Sequence, residues 1–200
     1  MTTLRALIVG VSDYSLIKQN DLPFCVNDIY AIKTAFSKGL NVDDANIFVC
    51  SNTGVVTAHE FTSALQRLVH AVKIDDTLLF YFSGHGCSLP DGHYLLFSDS
   101  YIKTEDIISQ LDGISSKSKI IFLDCCMAGN FAISETPVFN INDTADEFAG
   151  KGYAVIASST ASQYSYGHPT KPVSLFTSFL CESLMDTHII KEGTTLQYRT

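Results

Sequence analysis

The sequence predicts an α/β domain with a mostly parallel central sheet and helices on both faces. Three observations carry this. Strand-sized apolar runs alternate with segments of helical spacing along the whole chain. The first run, residues 4–11, is almost wholly apolar, as a strand buried on both faces must be. Two later runs end abruptly in small and polar residues, Ser83-Gly84-His85-Gly86 and Asp124-Cys125-Cys126.

Each element has its own warrant. After the strand at 4–11, residues 24–36 repeat apolar positions at helical spacing, broken by Asn27, Asp28 and Lys33. Residues 45–50 are a short second strand. Residues 57–72 form an amphipathic helix with Phe61, Leu65, Leu68 and Val72 on one side. Thr57 and Glu60 stand at capping-box spacing at its start. Residues 76–82 are the third strand, 104–111 a short helix opening on Thr-Glu-Asp, and 119–123 the fourth strand. Residues 153–158 are the fifth strand, and 173–185 a closing helix after Pro172. Residues 128–150 are polar and turn-rich, a long surface loop, and 159–172 are irregular.

Composition narrows the function classes. The chain has 200 residues, a formal charge of −8, 46% hydrophobic residues and 17% charged ones. Such a chain buries a sizeable core and is not disordered. No apolar run approaches the roughly 20 residues needed to cross a bilayer. The 13 Lys and Arg are outnumbered by 21 acids, and no basic patch suggests nucleic acid. The apolar stretch near the N-terminus is too short for a signal peptide, so a cytoplasmic location is expected. The six cysteines lack CxxC or paired Cys–His spacing, which predicts reduced thiols and no structural zinc. No GxGxxG or GxxxxGK[ST] element follows a strand, so a nucleotide-binding domain is a poor reading. A zinc hydrolase built on His85, Cys87, His93 and Cys126 is poorer still.

Ligands of parallel α/β sheets bind outside the carboxyl ends of the strands. That rule selects His85 and Cys126. A thiol near its ordinary pKa of about 8.5 is only a few per cent thiolate at neutral pH, so a cysteine nucleophile needs a neighbouring base. Adjacent strand ends bring such a pair together without closeness in sequence. The glycines around His85, with Gly129 after Cys126, permit tight turns whose main-chain N–H groups can receive an oxyanion. A lone strand-end histidine or a lone cysteine is ordinarily structural; the two motifs together are what point to Cys–His catalysis.

At these residues the sequence resembles a known family. Tyr81-Phe82-Ser83-Gly84-His85-Gly86 and Ile121-Phe122-Leu123-Asp124-Cys125-Cys126-Met127-Ala128-Gly129 look like the catalytic motifs of caspase-like cysteine peptidases, most of all metacaspases and bacterial caspase-like proteases. The likeness extends to Ala6-Leu7-Ile8-Val9-Gly10-Val11, Leu22-Pro23-Phe24-Cys25-Val26-Asn27-Asp28, Ala154-Val155-Ile156-Ala157-Ser158-Ser159 and Leu175-Phe176-Thr177-Ser178-Phe179-Leu180. The resemblance implies the caspase–hemoglobinase three-layer sandwich, with five or six strands.

It further implies a cysteine endopeptidase acting on protein or peptide substrates through an acyl-enzyme. Cys126 would be the nucleophile, His85 the base, and the N–H groups of Gly86 and Cys126 the oxyanion donors. Cys125 fills the variable position and is the second choice of nucleophile. Cys25, Asp28, Ser83 and Asp124 match the specificity pocket of metacaspases, which predicts cleavage after Arg or Lys. Gly167, in Ser165-Tyr166-Gly167, stands where Asp-specific relatives carry an arginine. Residues 87–100 hold only Asp91 and Asp99, too few oxygens for the calcium site of some relatives. No metal or cofactor is expected. Self-cleavage is expected, if anywhere, at Lys151 or Lys171.

The peptidase domain is read as residues 1–186, with 187–200 a tail too short and polar to supply a further helix and a sixth strand. That implies a monomer, a truncated or missing segment beyond the tail, and a regulated effector within a larger protein. Bacterial relatives of this kind are joined to sensor domains or answer to activating partners, including in defence and cell death. The alternative is an inactive caspase-like interaction or regulatory module.

Overall fold

A computed structural model describes residues 3–116, 118–125, 153–159 and 165–186. In chain order its first elements are β1 (Leu4–Gly10), α1 (Cys25–Gly39), β2 (Ile47–Val49), α2 (Ala58–Ala71) and β3 (Thr77–Ser83). There follow β4 (Gly86–Leu89), β5 (Gly92–Leu96), β6 (Tyr101–Lys103), α3 (Thr104–Asp112), β7 (Ser118–Asp124), β8 (Tyr153–Ala157) and α4 (Leu175–Met185).

Five strands form one sheet in the order β2-β1-β3-β7-β8, every neighbouring pair parallel. Strand residues alternate between two faces, and each face has its own core. Ala6 and Ile8 of β1, Leu79 and Tyr81 of β3, and Phe122 of β7 pack against Ile29, Ile32 and Phe36 of α1 and Cys181 of α4. Leu7 and Val9, then Leu78, Phe80 and Phe82, then Ile121 and Leu123, face the other way. They meet Phe61, Ala64, Leu65 and Leu68 of α2 and Ile107 and Leu111 of α3. Each fully buried Leu, Ile, Val or Phe side chain among them contributes about 1.5–3 kcal/mol. The helix–sheet–helix layering is the predicted sandwich, with five strands in its central sheet among the described residues.

Local signals set the helix ends. The capping box at α2 is formed: Glu60 N–H donates to Thr57 Oγ1, and Thr57 N–H to Glu60 Oε2 at 2.8 Å. Gly39, at the last turn of α1, lies against the carbonyl of Leu184, where a Cβ would not fit. That contact lets α1 and α4 lie close on one face.

Two boundaries and one whole sheet differ from the sequence reading. The second strand is only Ile47–Val49, because Asp44–Asn46 is a 3-10 turn capped by the Asp43 carboxylate. The closing helix begins at Leu175, because Ser174 is extended and its side chain caps Thr177 N–H. A second, three-stranded antiparallel sheet, β4-β5-β6, was not anticipated. Its hairpin turns at Leu89-Pro90-Asp91-Gly92, with Gly92 at φ 144°. The loop at 128–150, Lys151 and the tail from 187 lie outside the described residues.

Register places the site. Ser83, last residue of β3, is paired with Gly10 of β1 on one side and Asp124 of β7 on the other. A Cβ on Gly10 would fall 2.5 Å from the Cys25 carbonyl oxygen and 2.6 Å from the Ile29 side chain. The bare backbone there lets the first turn of α1, with Cys25 and Asp28, settle over the carboxyl ends of the strands.

Candidate active site

His85 stands where β3 leaves the sheet. The last rung is Gly84 N–H to the Asp124 carbonyl, 3.1 Å, after which the chain turns. The connection from β1 to α1 grips the histidine from two directions. His85 N–H donates to Tyr14 Oη at 2.7 Å, and the two rings meet at 4.6 Å between centroids, inclined at 54°. His85 Nε2 lies 2.7 Å from the carbonyl oxygen of Asn20. A carbonyl only accepts, so Nε2 carries the ring hydrogen, and the neutral imidazole presents Nδ1 as its acceptor. Nδ1 is thereby left as the acceptor of the ring. The connection is itself braced: Leu22 N–H donates to the Ser12 carbonyl at 2.9 Å, and Tyr14 N–H to Asp21 Oδ1 at 2.9 Å.

Beside His85 the structure gathers a buried acidic cluster. Cys25 and Asp28 come from α1, Ser83 from β3 and Asp124 from β7, and all four are buried. Ser83 Oγ donates to Asp28 Oδ2 at 2.7 Å. Ser174 joins the two carboxyls: its N–H donates to Asp28 Oδ1 at 2.8 Å, and its hydroxyl to Asp124 Oδ2. Asp124 Oδ1 accepts from the Ser165 hydroxyl. Among the described residues no cation pairs with either acid.

The electrostatics follow from burial without a counter-ion. Desolvation pushes the Asp28 carboxyl up to about 7, against the pull of the Ser174 N–H and the Ser83 hydroxyl; the Asp124 charge raises it further. Asp124 is also raised by burial, opposed by hydrogen bonds from Ser165, Ser174, Ser158 and Thr177. Burial lifts the Cys25 thiol well above its ordinary value, with Ser83 opposing and the nearby acids reinforcing. Cys25 is therefore a neutral, buried member of the cluster that does not reach the lining of the cleft above it.

An open cleft of about 270 Å³ lies above the cluster, lined by Leu22, Phe24, Gly84, His85, Asp124, Ser165 and Tyr166. Its sides are apolar and aromatic, and one pocket acid reaches its lining. Gly167 sits at its edge, bridged to Ser174, against the Phe24 ring.

The four pocket residues and His85 named from the sequence are thus brought together. Gly86 opens β4, half-buried, directly after the histidine. Cys126 lies outside the described residues; its neighbour Cys125 is among them, and the Cys125 carbonyl accepts from Ser159 Oγ at 2.8 Å. Lys171, a self-cleavage candidate, holds Ser178 Oγ at 2.8 Å and Glu182 at 2.5 Å. Among the described residues no group of His, Cys, Asp and Glu has metal-binding geometry. Sequence reasoning missed Tyr14, Asn20, Ser165, Ser174 and Thr177. Ser174 had a signal, as a serine just after Pro172 at a helix start; Asn20 had none, since it acts through its carbonyl.

A parallel sheet between two helical layers, with a histidine and one acid at adjacent strand ends and a second acid from α1, defines an α/β protein of the caspase fold. Caspase-1 from Spodoptera frugiperda shares it, with a TM-score of 0.61 and 18% identity over 92% of this chain and 69% of that one. The family model described as the caspase domain matches residues 3–196, and the chain belongs to that family, whose members are cysteine peptidases. No curated protein sequence matches the chain.

Proposed function

We propose that the chain is a cysteine endopeptidase that cleaves its substrates after Arg or Lys, with Cys126 as nucleophile and His85 as base. His85 Nδ1 takes the Cys126 thiol proton; the thiolate attacks the scissile carbonyl carbon. The N–H groups of Gly86 and Cys126 receive the oxyanion. The imidazolium returns its proton to the leaving amine, which departs and leaves a thioester. Water, deprotonated by His85, hydrolyses that thioester, and the proton passes back to the thiolate.

The observation that carries the specificity is the convergence of Asp28 and Asp124, buried without a cation, under a cleft lined by His85. Phe24 and Tyr166 offer apolar contact to the stem of a long basic side chain, and the acids offer counter-charge to its head. A cation entering there would restore ionisation to carboxyls that burial discourages. Gly167, at the pocket edge, carries no side chain that could hold an acidic substrate residue.

Reporter peptides with Arg, Lys or Asp before the scissile bond test the reading. Turnover of the Arg and Lys reporters by the wild type, and none by Cys126→Ala, is expected. Preference for the Asp reporter would sink the specificity. Equal turnover by Cys126→Ala would sink the mechanism, and no turnover by the wild type would favour an inactive module.

A further inference from the structure

We propose that Tyr14 is a positioning residue that sets both the catalytic base and one oxyanion donor; the proposal rests on the peptidase reading above. Tyr14 lies eleven residues before the start of α1 and seventy-one before His85, yet it touches that histidine in two ways. Its hydroxyl accepts the His85 backbone N–H at 2.7 Å, and its ring lies against the imidazole at 4.6 Å. It is wholly buried beneath the half-buried histidine.

These contacts constrain different degrees of freedom. The hydroxyl fixes the peptide entering His85, and so the direction in which the chain continues into the Gly86 N–H. The ring limits rotation of the imidazole, which keeps Nε2 on the Asn20 carbonyl and Nδ1 free to take a proton. Gly84 is what admits the phenol: a Cβ there would lie 2.5 Å from Tyr14 Oη and 2.9 Å from the Phe82 ring. The glycine before the histidine thus makes room for Tyr14 as well as turning the chain.

The carbonyl of Asn20 and the ring of Tyr14 belong to one braced connection. Gln19 N–H donates to the Tyr14 carbonyl at 3.3 Å, and Tyr14 N–H to Asp21 Oδ1. The two grips on the histidine are therefore mechanically coupled. Neither Tyr14 group exchanges a proton with substrate; its effect passes through His85 and Gly86.

Tyr14→Phe removes the hydroxyl and keeps the ring; Tyr14→Leu removes both. Ser116→Ala is the matched control, because it removes a buried hydrogen bond, Ser116 Oγ to the Asp76 carbonyl at 2.6 Å, at the opposite end of the sheet. On an Arg reporter, Tyr14→Phe is expected to lose about tenfold in kcat with KM within about twofold. That is a fraction of the roughly 10²–10⁴ a positioned base supplies. Tyr14→Leu is expected to lose more, and Ser116→Ala to keep kcat. Independently of turnover, the 15N signals of His85 should show the Nε2–H tautomer in the wild type and a mixture in Tyr14→Phe. Unchanged kcat in Tyr14→Phe, a loss wholly in KM, or an equal kcat loss in Ser116→Ala would overturn the proposal. If the wild type turns over no reporter, the peptidase reading fails first. An unchanged 15N pattern in Tyr14→Phe then overturns the positioning role on its own.

Discussion

Asp28→Asn should make the protein more stable as it removes a pocket charge, and the gain should grow with pH. The Asp28 carboxyl is raised from 3.8 to about 7 by burial, so the folded chain holds a proton that the unfolded chain releases. Between those values the unfolded state binds fewer protons, and stability therefore falls as pH rises. At about 1.36 kcal/mol per unit, the full interval corresponds to about 4 kcal/mol at pH 8. Asparagine keeps the local bonds: its oxygen can accept from Ser174 N–H and its amide can donate to Ser83 Oγ. Urea unfolding of wild type and variant at pH 5, 6, 7 and 8 reads the difference directly. The advantage of Asp28→Asn should grow by about 2–3 kcal/mol from pH 5 to 7 and then level off. A difference that does not change with pH would refute the reasoning, since it would mean Asp28 is ionised in both states throughout. The same variant should lose most turnover of Arg and Lys reporters, so stability and function move in opposite directions at this residue.

Other predictions probe separate parts of the account. The KM of an Arg reporter should fall as pH rises toward 7, because the cation must displace the proton held by Asp28; a flat KM between pH 5.5 and 7.5 would contradict this. Gly10→Ala should cost about 1–3 kcal/mol by crowding the first turn of α1, and should raise KM more than it lowers kcat, by unfolding and steady-state kinetics. Thr57→Ala should cost about 1 kcal/mol through the lost cap of α2 and leave kinetics unchanged.

The central sheet was legible because burial on both faces forces apolar runs, and each run of that kind in β1, β3 and β7 became a strand; β8, at the sheet edge, is apolar although Ala154 and Ile156 are exposed. The capping box of α2 was legible because its two side chains bond only at that spacing. The small sheet escaped because β4, β5 and β6 are short and carry mixed exposure, so no face imposes a period. Its one strong local signal, Pro90-Asp91-Gly92, marks a turn but not the strands that the turn joins. In the site, the acids stood out through matching residues, but their link through Ser174 spans 146 positions to Asp28 and 50 to Asp124. Such contacts are made by register and helix placement, which local sequence does not display. The same holds for Tyr14 and the Asn20 carbonyl around His85.

Cys126 as a nucleophile served by His85 in an Arg-accepting site is the proposal on which the other predictions of activity depend. A peptidyl-arginine electrophile that traps thiolates, followed by intact-mass and peptide mapping, measures this in one experiment. The account predicts a single adduct on Cys126, absent from Cys126→Ala and slowed strongly by His85→Ala. An adduct on Cys125, no adduct at all, or faster labelling by the corresponding aspartyl electrophile would contradict it.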